Sequence, residues 1–173
     1  MDRDRYLALP ETNERIELID GSLLASPSAA WVHQRYARWL ANLIEAAVGD
    51  DLGVNENVNV RVAPNRILIP DVVVARVDDD PVILDPSQVV LVCEVMSPSG
   101  VTSDRVITPQ MYEAAGIGLY LRVELKPEPV MYLYRLEAGR YVQVGVAGPG
   151  ELLTVPQPCA MTLDPAAPLR RRR

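Results

Sequence analysis

Two acids of this chain stand inside apolar runs. Asp71 lies in Ile67-Leu68-Ile69-Pro70-Asp71-Val72-Val73-Val74, and Glu94 in Val89-Val90-Leu91-Val92-Cys93-Glu94-Val95-Met96. A buried carboxylate with no partner costs several kcal/mol or gives up its charge. Such acids persist where a hydrogen-bonded partner or a metal ion receives them. If the two runs pair antiparallel, with Ala75 or Arg76 against Val89 or Val90, partner numbers sum to about 165 and Asp71 falls opposite Glu94, Cβ atoms some 5 Å apart. Two anions at that distance call for a cation between them, and Mg²⁺ or Mn²⁺ suits carboxylate oxygens. Pro70 removes a ladder donor and marks an edge or bulge just before the acid. The plainer alternatives are a strand-entry Asp71 that accepts backbone N–H groups, and a Glu94 paired with an arginine such as Arg122.

Two weaker signals accompany this pair. Glu17 alternates with Ile16 and Leu18 and reads most simply as a solvent-facing strand residue. His33, the only histidine, falls on the apolar face of a helix, where a hydrogen-bonded core role is the ordinary one; Gln34 stands one step off that face.

The elements that must position these residues are legible from periodicity and turn chemistry. Ile16–Ile19 and Leu23–Ala25 flank Asp20-Gly21 and read as an N-terminal β-hairpin. Ser26-Pro27-Ser28 offers capping hydroxyls to a helix over Ala29–Val48 with Val32, Tyr36, Leu40, Leu43, Ile44 and Ala47 inward. Val54–Val62 alternates as one half-buried strand, while Ile67–Ala75 and Val89–Met96 suit strands covered on both faces. Between the last two, Asp78 to Ser87 reads as a flexible surface loop. A second helix ends at Ala115, with Pro109 in its first turn. Leu119–Val123, Val130–Tyr134, Tyr141–Val144, Leu152–Val155 and Met161–Leu163 are further strands. The expectation is an α+β (mixed α/β) fold: a central mixed sheet flanked by two main helices, with the hairpin at its N-terminal side.

Composition fits one folding domain over residues 1–169, with Arg170–Arg173 as a disordered, solvated tail. Of 173 residues 49% are hydrophobic and the net charge is −6, which excludes wholesale disorder. No apolar run is long enough to span a bilayer and the N-terminus has no apolar signal core, so a soluble, cytoplasmic protein without a membrane partner is expected. Cys93 and Cys159 cannot build a disulfide scaffold or a zinc site. Sixteen of the seventeen basic residues are arginines, Lys126 being the exception. An acidic body meets a phosphate backbone only through clustered arginines or a divalent cation.

Taken in order, Glu17-Leu18-Ile19-Asp20-Gly21, Ser26-Pro27-Ser28 with His33-Gln34, Pro70-Asp71, Glu94-Val95-Met96-Ser97-Pro98-Ser99, Asp104-Arg105, Tyr112-Glu113-Ala114-Ala115-Gly116 and Tyr134-Arg135-Leu136 resemble the Uma2 family over about residues 15 to 165. The resemblance implies a restriction-endonuclease-like core of the PD-(D/E)xK superfamily and a metal-dependent phosphodiesterase site. Asp71 would match the Asp of Pro-Asp and Glu94 the acid of (D/E)xK. Both would bind Mg²⁺ or Mn²⁺, helped by the Val95 carbonyl and by Glu17, with His33, Gln34 and Arg105 as accessory residues. One departure stands out: the motif lysine falls at Met96, and the alternative position in the following helix is Thr108. Arg105 and Arg122 are the candidates to supply the charge, though arginine does not accept protons.

Three functions stay open at this level. The first is a divalent-metal-dependent endonuclease acting on DNA. The second is a nuclease-fold binding or interaction protein that has lost catalysis. The third is a structural α+β domain whose acids pair internally. A homodimer through the edge strands and exposed hairpin is the expected assembly.

Overall fold

The computed structural model describes residues 1–10, 14–78, 80–96 and 107–170. After a short helix α1 (Arg3–Leu7), strands β1 (Arg15–Ile19) and β2 (Ser22–Ser26) form the expected hairpin. Its turn residues Asp20 and Gly21 have φ of 50° and 82°, the left-handed pair that a two-residue hairpin demands. Helix α2 (Trp31–Glu45) follows, then β3 (Gly53–Glu56), β4 (Asn59–Ala63), β5 (Arg66–Leu68), β6 (Val72–Ala75), β7 (Ile83–Leu84) and β8 (Val89–Met96). Helix α3 (Thr108–Ala114) leads to β9 (Leu119–Glu124), the hairpin β10 (Val130–Glu137) with β11 (Arg140–Ala147), and the small pair β12 (Leu153–Val155) and β13 (Met161–Leu163).

The mixed α+β architecture is as expected, with its strands shared between two main sheets. Six strands in the order β11-β10-β9-β8-β6-β3 make the central sheet, antiparallel except for the parallel β8–β9 pair. Five strands in the order β2-β1-β5-β4-β7 make the second. Two expected single strands are each cut in half at the passage between sheets. Val54–Val62 breaks at Asn57, whose φ of 58° is left-handed; β3 joins one sheet and β4 the other. Ile67–Ala75 breaks at Pro70-Asp71, sending β5 and β6 to different sheets.

The central sheet is covered on both faces, as the continuous apolar runs require. Val72, Val74, Leu91, Cys93 and Leu121 pack with Tyr36, Leu40 and Ile44 of α2. Val73, Val92 and Tyr120 point the other way, to Met111 and Tyr112 of α3 and to Val60 and Leu68 of the second sheet. The buried stripe of α2 is His33, Tyr36, Ala37, Leu40, Ala41 and Ile44, rotated from the expected one so that Val32 and Ala47 are exposed. Small side chains at Ala37 and Ala41 allow the helix to approach the sheet, and His33 lies on the buried stripe, as its place on the apolar face predicts. Its N-cap is Ala30, without a side-chain bond, in place of the expected serine cap.

The stretch expected as a flexible loop carries β7 and a 3-10 helix, Pro86–Gln88. Asp85 accepts from Ser87 N while Gln88 reaches back to Asp85 N in a capping box. In the Arg-rich terminus, Arg170 pairs with Asp164 at 2.7 Å and its carbonyl accepts from Arg35. Residues 171–173 lie outside the described residues, as do Ser97–Arg105, including the accessory candidate Arg105.

Candidate active site

The β6–β8 ladder pairs Val72 with Cys93, Val73 with Val92 and Val74 with Leu91. This is the register read from the sequence, and carried one residue further it sets Asp71 opposite Glu94. Pro70 cannot donate to a ladder, so the chain leaves the sheet there and Asp71 is free of strand pairing. Both acids are buried, Asp71 at 3% exposure and Glu94 at 8%.

Each carboxylate is bound by groups from other elements. Asp71 Oδ2 accepts the Val95 N–H at 2.7 Å, and His33 Nε2 lies 3.1 Å from the same oxygen. Asp71 Oδ1 accepts from Arg15 Nη1 at 2.8 Å. Glu94 Oε1 accepts the Tyr112 hydroxyl at 2.6 Å, while its Oε2 lies 3.8 Å from Arg15 Nη2. Glu17 Oε1 accepts the Ile69 N–H at 2.8 Å and Arg15 Nη2 at 3.4 Å. Thus β1 contributes Arg15 and Glu17, the β5–β6 break Asp71, β8 Glu94 and Val95, α2 His33 and α3 Tyr112.

The arginine that meets Glu94 is Arg15. Arg122 lies 3.4 Å from Glu124 and stacks 4.6 Å above the Tyr132 ring. Glu17 departs from the solvent-facing expectation: its side chain is 13% exposed and turned into the cluster. His33 is buried against Asp71, its Nδ1 without a hydrogen-bond partner. Gln34 is exposed, and Met96, at the lysine position, is a buried apolar residue. Arg15 and Tyr112 were not singled out from the sequence as site residues. A signal existed for Arg15, because strand alternation places it on the face of Glu17.

The charges are strongly unequal. Burial pushes the Glu94 carboxyl well above the usual range, and the neighbouring Asp71 charge adds to it; Arg15 and the Tyr112 hydroxyl offset only part. Burial works the same way on Asp71, but there the His33 bond, the Arg15 charge and the Val95 N–H win and hold it below the usual value. Burial disfavours the Arg15 cation, yet Glu94, Asp71 and Glu17 together fix it more firmly in the charged form. Burial and Glu94 raise Tyr112, keeping it a donor.

Three carboxylates therefore face one guanidinium. The shortfall is two positive charges, and the upward shift of the Glu94 carboxyl relieves it only in part. A divalent cation matches that shortfall, and the donor set is all oxygen, as Mg²⁺ and Mn²⁺ prefer. Among the described residues no group of three or more His, Cys, Asp or Glu is arranged to hold a metal ion as it stands. The donors fit the ion in kind, and Arg15 occupies the space among them.

The Uma2 family model, described as "Putative restriction endonuclease", matches residues 3–166. A crystal structure described as a putative nuclease belonging to DUF820, from Anabaena variabilis, superposes with a TM-score of 0.72 at 17% identity, covering 90% of this chain and 89% of that one. At that identity the likeness is one of fold. No curated protein matches the chain.

Proposed function

The chain belongs to the Uma2 family, and from that premise we propose that it is a divalent-metal-dependent endonuclease that hydrolyses DNA phosphodiester bonds. The observation that carries the reading is the convergence of Glu17, Asp71 and Glu94, from three separate elements, on a site two positive charges short. Mg²⁺ or Mn²⁺ would be held by Asp71 and Glu94 with help from Glu17 and the Val95 carbonyl, and would supply an acidified water and neutralise charge on the phosphate. The chain's own groups do the positioning. His33 and the Val95 N–H fix the Asp71 carboxylate, and Tyr112 fixes Glu94. With Met96 and Thr108 where a lysine would serve, turnover is expected to be slow, since a lost charge-stabilising donor costs about 10²–10³-fold.

The test is cleavage of duplex, single-stranded and branched DNA with Mn²⁺. Activity that disappears in Asp71→Ala, while the fold survives, supports the proposal; no cleavage of any form sinks it. A second reading is favoured by Arg15 itself. If the guanidinium permanently neutralises the acids, the chain is a catalytically inactive nuclease-fold binding protein, and its thermal stability will not respond to Mn²⁺ or EDTA.

No described helix is long and apolar enough to cross a membrane. We propose a homodimer through the hairpin: edge strand β2 exposes Leu23 and Leu24, and Trp31 just beyond it is 85% exposed. Light scattering should give twice the chain mass for the wild type and a monomer for Leu24→Glu.

A further inference from the structure

Arg15 is held loosely for a buried ion-pair partner. Only its contact with Asp71 is short, at 2.8 Å; Glu17 and Glu94 are 3.4 and 3.8 Å away. Its Nε is buried with no hydrogen-bond partner. The side chain as a whole is 29% exposed, so it is not sealed in the core. A planar fork with an unused donor, on a side chain that is not fully buried, is suited to a tetrahedral oxyanion. Met96 is apolar and offers no donor; Arg122 has a buried, unpartnered Nε as well, but it lies 3.4 Å from Glu124 and over the Tyr132 ring, and its side chain is less exposed, at 18%.

Resting on the nuclease reading, we infer that Arg15 is the phosphate-binding cation of this site, serving where the motif lysine is missing. In the chain alone Arg15 bridges the three acids. Once Asp71 and Glu94 are engaged by a divalent cation, Arg15 is repelled from their midst and turns its Nη and Nε donors to a phosphate oxygen of DNA. The same side chain therefore opposes the cation and assists the nucleic acid, a pairing of effects that a purely structural arginine would not produce.

Two binding measurements on the full chain test this. Calorimetric titration with Mn²⁺ alone should show Arg15→Ala binding about tenfold tighter than wild type, because a unit positive charge has been taken from beside the ion. Anisotropy of a short labelled duplex, with Ca²⁺ in place of Mn²⁺ to prevent turnover, should show Arg15→Ala binding about tenfold or more weaker, with Arg15→Lys recovering most of the loss. Mn²⁺ affinity unchanged or weakened in a folded Arg15→Ala overturns the inference, as does duplex affinity that does not fall. Arg15→Lys, which keeps the charge, serves as the folded reference should Arg15→Ala prove unstable; it must keep Mn²⁺ affinity near wild type, and a tenfold gain there would also overturn the inference. The nuclease proposal fails separately, on absent cleavage, while these two affinities are still read.

Discussion

Tyr112 does for Glu94 what His33 and Val95 do for Asp71: its hydroxyl, fully buried, donates to Oε1 at 2.6 Å. Removing one partner of a buried hydrogen bond leaves the other unsatisfied, at about 1–3 kcal/mol. Tyr112→Phe is therefore expected to lower unfolding free energy by about that much in urea denaturation without Mn²⁺, and an unchanged midpoint would show that Glu94 is held by something else. At this scale the acids were legible in the sequence because carboxylates inside Val- and Ile-rich runs are costly enough to demand a reason. Arg15 was legible only in part: alternation sets it on the face of Glu17, but it follows polar Glu11-Thr12-Asn13-Glu14 and looks like surface charge. Its role depends on β1 being covered on both faces, with Leu18 at 0% exposure on one side and Glu17 turned to the acids on the other. That the shared face of Arg15 and Glu17 is covered is a property of the packing of two sheets, which alternation within one strand does not reveal.

Among the elements, helix α3 has to be tethered if Tyr112 is to reach Glu94. Seven residues are too few to be stable alone. The tether is the next residue, Glu113, whose Oε2 accepts the Tyr141 N–H at 2.6 Å and whose Oε1 accepts from Arg140 at 2.9 Å, binding the helix to β11. Tyr141 adds a hydroxyl bond to the Ile117 carbonyl. The Tyr141 N–H, against the effect of burial and with help from Arg140, holds Glu113 below the usual glutamate range. Because the folded value is depressed, the stabilisation is present above the unfolded value near 4.5 and fades as pH falls through the folded one. Glu113→Gln should cost about 1 kcal/mol at pH 7, and that difference from wild type should shrink as the pH drops below 4.5. A gap constant down to pH 3 would refute the assignment. The element boundaries show why reading strands from a sequence stops short. The alternation of Val54–Val62 runs unbroken through Asn57, and the apolar run Ile67–Ala75 through Pro70-Asp71, yet at each point the chain changes sheets. Periodicity reports which side of a strand is buried and says nothing about which sheet buries it. Helix α1 was equally invisible, since Tyr6 is fixed by hydroxyl bonds to the Ile16 carbonyl and to Asn59, distant in sequence.

For the molecule as a whole, the charge balance sets terms that no single residue does. The chain carries a net −6, and its candidate site gathers three more-or-less buried acids at one place. A DNA duplex approaching that site meets like charge unless the shortfall there is filled. Binding of a short labelled duplex should accordingly be weak in EDTA and rise about tenfold or more with saturating Mn²⁺, measured at one fixed salt concentration because phosphate contacts are salt-dependent. The double variant Asp71→Asn, Glu94→Gln removes two negative charges without adding a metal. It should bind the duplex in EDTA about as well as wild type does with Mn²⁺, should gain nothing from Mn²⁺, and should cut nothing. If the wild type binds equally well in EDTA and in Mn²⁺, repulsion by the acid cluster is not what limits access, and DNA must dock on a surface remote from Asp71 and Glu94.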